Sequence, residues 1–324
     1  MTLAWLLGSL TACKEKTVGW EPSANVPERF HPSATRLRAE AALVGGYLQG
    51  GEVGAVEDQR AEILRWDGGT PVSTYSGPGW IVTLDVAGES AWAIAAELRP
   101  EGVDSSYRAL RSIDGGRSWN EAGPVPASSV TDLRVVGPME AWVLGGDTLL
   151  RTVDGGASWV QVHASGTRDG VEERLAVVGG RVLILGAGVR ATADGGLTWL
   201  DNGVDGSRVY AVDGSALLAD HEGELKLGFM EAGGPRWIAA FPAGLRPFRL
   251  VAEGSHLRWL AYATRDGVGV GLRLYESNNG GQAWSAWRLP AQAKAEAADL
   301  GKGSAAVFLD PRRRLFAAPG TFAR

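Results

Sequence analysis

Apolar residues along this chain come in short runs, each bounded by Gly, Pro, Ser or Asp. Ile81-Val82-Thr83-Leu84-Asp85-Val86, Ala91-Trp92-Ala93-Ile94-Ala95, Ala141-Trp142-Val143-Leu144-Gly145 and Arg181-Val182-Leu183-Ile184-Leu185 have this form, and their β-branched and aromatic content predicts strands. No segment among them keeps a helical period for long, so the chain reads as all-β. Between the strands a turn pattern recurs without gaps: Ser112-Ile113-Asp114-Gly115-Gly116-Arg117-Ser118-Trp119, then Thr152 to Trp159, then Thr192 to Trp199. The central Asp114, Asp154 and Asp194 are 40 residues apart both times. Ser277 to Trp284 is a fourth copy with Asn279 at the centre. Two decayed copies complete the set: Asp67-Gly68-Gly69 has lost its tryptophan, and Ala232-Gly233-Gly234 keeps Trp237 but has lost its aspartate. The six centres are spaced 47, 40, 40, 38 and 47.

Asp-Gly-Gly between two strands is a hairpin signal, because glycine supplies positive φ and the aspartate can accept from backbone N–H groups just beyond it. The preceding Ser112, Thr152, Thr192 or Ser277 offers a second local bond. Trp119, Trp159, Trp199, Trp237 and Trp284 open the outgoing strand and are expected to pack over the hairpin. Gly116, Gly156, Gly196 and Gly281 follow as turn residues, so these positions read as structural. The pattern resembles the Asp-box, or BNR repeat, of sialidases and other β-propellers. A unit of about 40 residues holds four short strands, one propeller blade, and residues 42–324 make seven at 40 to 45 residues each. The seventh stops short of a fourth strand, so residues 14–41 are expected to be a linker carrying a ring-closing strand. Thr17-Val18-Gly19-Trp20 is the candidate, with Ala24 to Arg38 crossing to the first blade.

Composition fits this picture. Of 324 residues 46 are Gly, about twice the usual share, and 13 are Trp; both excesses belong largely to the repeat. A net charge of −5 with interleaved signs gives no footprint for nucleic acid. The single cysteine, Cys13, excludes an internal disulfide or a thiolate cluster. Its position carries the information. Residues 1–13 begin with an apolar run too short to span a bilayer as a helix, and Leu10-Thr11-Ala12-Cys13 resembles a bacterial lipobox. That resemblance implies cleavage before Cys13, lipidation there, and anchoring in the cell envelope, on the periplasmic or outer-membrane face.

Motifs with chemical overtones read as structure. Gly186-Ala187-Gly188 with Ala191 matches a dinucleotide fingerprint, but a turn motif rather than a helix follows. His31, His163, His221 and His256 have no ligand-like spacing, and Asp220 to Glu224 falls where a hairpin turn is due. The sequence calls for no metal and no cofactor. Loop length is more informative: the chain is longer near Glu97 to Ser106 and Thr264 to Gly271 than in the compact third unit. On a propeller these insertions share the face opposite the Asp-boxes. There they would carry Arg99, Glu101, Asp104, Arg265 and Asp266, joined by Arg168, Asp169 and Arg208 as a binding rim.

Sialidase membership would imply glycoside hydrolysis by a tyrosine, carboxylates and an arginine cluster. The early Phe/Tyr-Arg-Ile-Pro element of that family is missing, and Pro247-Phe248-Arg249-Leu250 is a poor match far along the chain. Ala-Trp-Ala/Val followed by Asp-Gly-Gly-x-Ser-Trp resembles more closely the seven-bladed photosystem II assembly and stability factor family. That likeness covers 42 to about 290 and implies a scaffold role; joined to the lipobox, it makes the chain a non-catalytic, monomeric envelope lipoprotein expected to bind another envelope protein through the face opposite the Asp-boxes. The alternative is a sialidase-like hydrolase or a glycan-binding protein.

Overall fold

In a computed structural model, the chain is described for residues 14–318 apart from 17–21, 39, 51–57, 99–104, 146–147, 165–172, 202–203, 205–206, 233, 243, 266–267, 290–297, 302–305, 311 and 313. It forms seven antiparallel sheets, and the described residues contain no α-helix. Each sheet's first strand contacts the first strands of its neighbours, and that of the seventh contacts that of the first, so the sheets close a ring with these inner strands around the axis. This is a seven-bladed β-propeller of four-stranded blades.

Blade two is typical. Trp80–Ala87, Ser90–Leu98, Ser105–Ser112 and Asn120–Val125 run from inner to outer edge. The Asp-Gly-Gly turn joins its third and fourth strands. Alternate strands run in opposite directions, so those turns and the first-to-second turns share one face, here called the turn face. Backbone bonds tie the two kinds of turn together there: Gly115 donates to Glu89 (2.9 Å), Gly155 to Met139 (3.0 Å) and Gly280 to Ser255 (2.8 Å). The second-to-third hairpins and the links between blades occupy the opposite face.

The first blade begins earlier than its composition suggests. Phe30–Leu37 is its inner strand and pairs with Ala42–Gln49, so the polar, Pro-containing segment read as a connector belongs to the ring. Pro32 is accommodated because the register shifts between Pro32 and Ala34, and a bulge relieves proline of its missing donor. Ring closure does come from the N-terminal segment, but through Ala24–Asn25, which pairs antiparallel with Arg314–Ala317. Thr17 to Trp20 lies outside the described residues. Val26 explains the choice: it is buried with Phe30, Leu309 and Leu315, pinning the strand beside it to blade seven. A further strand, Lys14–Lys16, adds in parallel to Ser285–Arg288 at the outer edge of blade six.

The core lies between blades. Trp92 and Ile94 of blade two, for example, pack with Leu133, Val143 and Leu150 of blade three. At about 1.5–3 kcal/mol for each large apolar side chain withdrawn from water, such interfaces are the main source of stability.

Candidate functional site

The repeated turns are closed networks. In blade three Thr152 Oγ1 donates to Asp154 Oδ1 (2.8 Å) and accepts from Gly156 N (2.9 Å), while Asp154 Oδ1 accepts from Ser158 N (3.0 Å) and Oδ2 from Ser158 Oγ (2.6 Å). Blades two and four repeat this with Ser112, Asp114, Gly116 and Ser118, and with Thr192, Asp194, Gly196 and Thr198. In blade six Ser277 donates to Asn279 (2.9 Å), and Asn279 accepts from Ala283 N (2.9 Å). Where the centre is Asn, the residue four positions on is Ala rather than Ser or Thr. The hydroxyl is present only where a second carboxylate oxygen can accept from it, a covariation legible in the sequence but easily passed over. Hydrogen bonds from the Ser158 hydroxyl and amide, then from Thr152, hold Asp154 down at about 2. The Thr198 and Thr192 bonds do the same for Asp194. At Asp114 partial burial opposes the shift, but bonds from Ser118, Ser112 and Arg117 bring it to about 2. Asp67 makes a looser turn, accepting from Gly69 N at 3.4 Å and pairing with Arg65.

The expected packing of each Trp over its own hairpin is part of a larger contact. Trp159 meets Trp92 of the preceding blade edge-on at 6.3 Å, and Trp199 meets Trp142 likewise at 6.4 Å. Trp119 Nε1 donates to Thr74 of blade one (3.2 Å). Trp237 stacks on His221 within blade five, and Trp284 meets Trp259 and Phe241 edge-on. In blades two, three and four the second glycine of the turn seats the preceding blade's second strand. At Gly156 (φ 93°) a Cβ would stand 3.2 Å from Trp92, at Gly196 (φ 92°) 3.3 Å from Trp142, and at Gly116 (φ 79°) 2.6 Å from Leu43. These turns are joints of the ring.

Around the axis runs a belt of buried charge. Asp85 Oδ2 accepts from Val135 N of blade three (2.9 Å), Asp132 Oδ2 from Leu175 N of blade four (2.8 Å), and Asp299 Oδ2 from Leu37 N of blade one (2.8 Å). Their other oxygens face Arg36 (3.1 Å), Arg134 (2.7 Å) and Arg249 (2.8 Å). Asp213 repeats the backbone bond to Ala252 (2.8 Å). Burial would lower the Arg36 pKa, but Asp85, Asp299 and Asp132 together raise it. These carboxylates are committed to joining blades.

The opposite face has a different character. Arg208 starts the inner strand of blade five and lies 5.2 Å over the Tyr210 ring. Burial raises the Tyr210 pKa, Arg208 pulls it down, the Asp220 carboxylate raises it, and Arg246, on the inner strand of blade six, pulls it down. Two guanidinium groups and the Asp220 carboxylate, which pairs across the strands with Arg208, thus share the surroundings of one half-buried phenol. Arg174 opens the inner strand of blade four and is exposed. Of the expected rim, Arg208 is placed on this face, and Arg265 ends the second strand of blade six, beside Val268. Arg99, Glu101, Asp104, Arg168, Asp169 and Asp266 lie outside the described residues, as does Cys13. The extra length near 97–106 and 264–271 largely extends the hairpins, with Leu98 paired to Ser105 and Arg265 to Val268. Sequence reasoning passed over Tyr210, Arg246 and Arg174, whose signal is an Arg at the first or second position of three consecutive inner strands.

The remaining motifs are structural. Glu222 and Gly223, both at positive φ, form the two-residue turn of blade five, and Gly186 to Gly188 turns straight into a strand. His256 bonds Glu276 (2.7 Å), His221 bonds Ser207 (2.8 Å) and His31 stacks on Tyr47. Arg314 is held by Asp310 at 2.6 Å. Among the described residues no three His, Cys, Asp or Glu gather as a metal site, and no helix is long and apolar enough to cross a membrane.

No known family model matches this chain, and no curated protein does. Solved structures share the fold. YCF48 bound to D1 peptide aligns over 95% of this chain and 98% of its own, at 15% identity and TM-score 0.59. The GH74 xyloglucanase from Xanthomonas campestris aligns over 91% of this chain but 55% of its own, at 16% identity and TM-score 0.59. The β-propeller domain of the Trilobed protease from Pyrococcus furiosus, described as having an open velcro topology, aligns over 90% and 96%, at 10% identity and TM-score 0.59. These likenesses define the class, a seven-bladed propeller whose relatives in shape include a peptide-binding protein and hydrolases.

Proposed function

We propose that the protein is a non-catalytic binding scaffold of the bacterial envelope, lipid-anchored through Cys13, built on Asp-box turns, and holding another envelope protein at the face opposite those turns. The observation that carries this is Arg208 lying over the Tyr210 ring at the start of its inner strand, with Arg246 near the start of the next inner strand and Asp220 alongside. Two guanidinium groups beside a half-buried ring suit a carboxylate-bearing peptide segment, because arginine donates in pairs to a carboxylate and the ring covers its apolar flank. YCF48, of near-equal length, was solved with a peptide bound, which supports a protein rather than a glycan as partner.

The second reading is glycoside hydrolysis, favoured by the GH74 neighbours. That chemistry needs two carboxylates free to act across a sugar. Asp85, Asp132 and Asp299 instead each accept a backbone N–H from a neighbouring blade. Affinity capture from the native membrane with wild type and with Arg208→Glu/Arg246→Glu tests the scaffold reading, which expects a partner retained by the first and lost by the second. Turnover of a sialoside or xyloglucan substrate, abolished by replacing one of these arginines, would sink it.

A further inference from the structure

Eight large apolar side chains stand out as exposed among the described residues: Val72, Leu98, Ile113, Met139, Val153, Val160, Leu197 and Leu200. Seven of them lie at one end of the ring. Ile113, Val153 and Leu197 are within the Asp-Gly-Gly turns of blades two, three and four, and Met139 is in the adjoining turn of blade three. Val72, Val160 and Leu200 open the outer strands directly after those turns. Leu98 alone lies at the opposite end. Leu197 is 86% exposed, and none of the seven belongs to blades five to seven.

Such tips do not form a groove. Charged residues separate them, as Asp114 and Arg117 do beside Ile113 and Asp154 beside Val153, so a protein helix or strand would find no continuous seam. A flat, laterally fluid apolar surface needs none, since each tip can insert shallowly by itself. Singly exposed apolar residues are ordinary on a protein surface; what sets these apart is their distribution, seven at one end of blades one to four and none there on blades five to seven among the described residues.

The N-terminal strand points to the same end. Lys14 pairs with Ser285, the residue directly after the blade-six turn, and runs parallel to it toward the opposite face. Lys14, the start of that strand, therefore lies at the turn face of blade six, across the axis from blades two to four. Residues 1–13 (MTLAWLLGSLTAC) are nearly all apolar or small, and cleavage at the lipobox would leave only Cys13 of them before this strand.

We propose that the turn face of blades one to four rests on the surface of a phospholipid bilayer, so that the ring lies flat and its Arg208–Arg246 end faces away from the membrane. This rests on the membrane location proposed above, which itself comes from the Cys13 lipobox; the face contact is tested separately from the acylation. The turn-face carboxylates Asp114, Asp154 and Asp194 stay ionised at neutral pH, so the contact suits a zwitterionic rather than an anionic surface.

The test uses the full chain carrying Cys13→Ser, with one new cysteine at a time (Val153→Cys, Leu197→Cys or Leu98→Cys) bearing an environment-sensitive fluorophore. On phosphatidylcholine vesicles the probes at 153 and 197 are expected to gain about two-fold in emission and shift to the blue, and the probe at 98 to stay unchanged. Ile113→Ser/Val153→Ser/Leu197→Ser, all exposed sites where folding is little affected, should reduce vesicle partitioning several-fold. A silent probe at 197, an equal response at 98, or unchanged partitioning of the triple variant overturns the proposal. Radiolabelled acyl incorporation into the unmodified chain reads the anchor separately, so failure of the anchor and failure of the face contact give different results.

Discussion

Asp299 is the bond by which the last blade grips the first, and its removal has a calculable effect. The side chain is 2% exposed, with Oδ2 2.8 Å from Leu37 N and Oδ1 2.8 Å from Arg249 Nε. Asp299→Ala leaves the Leu37 N–H buried without an acceptor and deletes a charge-assisted bond, about 1.5–3 kcal/mol. Arg249 is itself 37% exposed, so water screens what its ion pair adds to well under ~1 kcal/mol. The expected loss is therefore about 2–4 kcal/mol. Asp299→Asn keeps an oxygen for Leu37 but removes the charge, and should lose roughly half as much. For a chain of this size the unfolding entropy is about 0.6 kcal/mol per degree, so ~3 kcal/mol corresponds to roughly 5 °C in Tm. Chemical denaturation followed by tryptophan fluorescence, together with calorimetry, reads both variants. Were Asp299→Ala as stable as wild type, or Asp299→Asn the more damaging of the two, the assignment of a load to this bond would be wrong.

Further outcomes are expected elsewhere. Trp142→Ala removes a side chain 1% exposed and should destabilise by about 3–5 kcal/mol; a double-mutant cycle with Trp199→Ala should show coupling of about 0.5–1.5 kcal/mol, and zero coupling would mean the edge-on contact is incidental. Gly156→Ala combines φ 93° with a Trp92 ring 3.2 Å away and should lose about 2–4 kcal/mol, whereas Gly137→Ala, where a Cβ meets nothing within 4 Å, should be near neutral in the same melt. Asp114, Asp154 and Asp194 have folded values of about 2, below the ordinary value of about 3.9. Their contribution is thus complete above about pH 4 and is lost as pH falls toward 2. NMR titration should find Asp154 moved upward by Ser158→Ala, and an unchanged midpoint would remove the Ser158 hydroxyl from the explanation.

What could be read from the sequence was what repeats. Asp114, Asp154 and Asp194 stand at a fixed interval, and the interval set blade size, blade count and the face on which the turns lie. The closing strand was harder, because Ala24 and Asn25 are ordinary residues whose role depends on Val26 reaching a core made by residues nearly 300 positions later. Pro32 misled for a related reason: a bulge that tolerates proline is set by the partner strand and is invisible locally. At the candidate site, Arg208 was found through its place between blades. Tyr210 and Arg246 were not, since only the ring's curvature brings inner strands of different blades to one phenol. The turn residues, by contrast, were read as local hairpin formers, and their contacts with Trp92, Trp142 and Leu43 of the preceding blade became visible only in three dimensions.

Those contacts all point one way along the chain. Leu43, Trp92 and Trp142 reach forward to the next blade's glycine, and Asp85, Asp132 and Asp213 reach forward to the next blade's amide. A chain emerging N-terminus first therefore offers each new blade a finished template, except blade one, whose template is blade seven. Assembly can proceed in order of synthesis, yet its first product stays unsealed until Asp299 and Arg314–Ala317 arrive to meet Leu37 and Ala24–Asn25. A chain truncated before Arg314–Ala317 would keep most of its blades but leave the strand at 24–25 without this partner and the ring open.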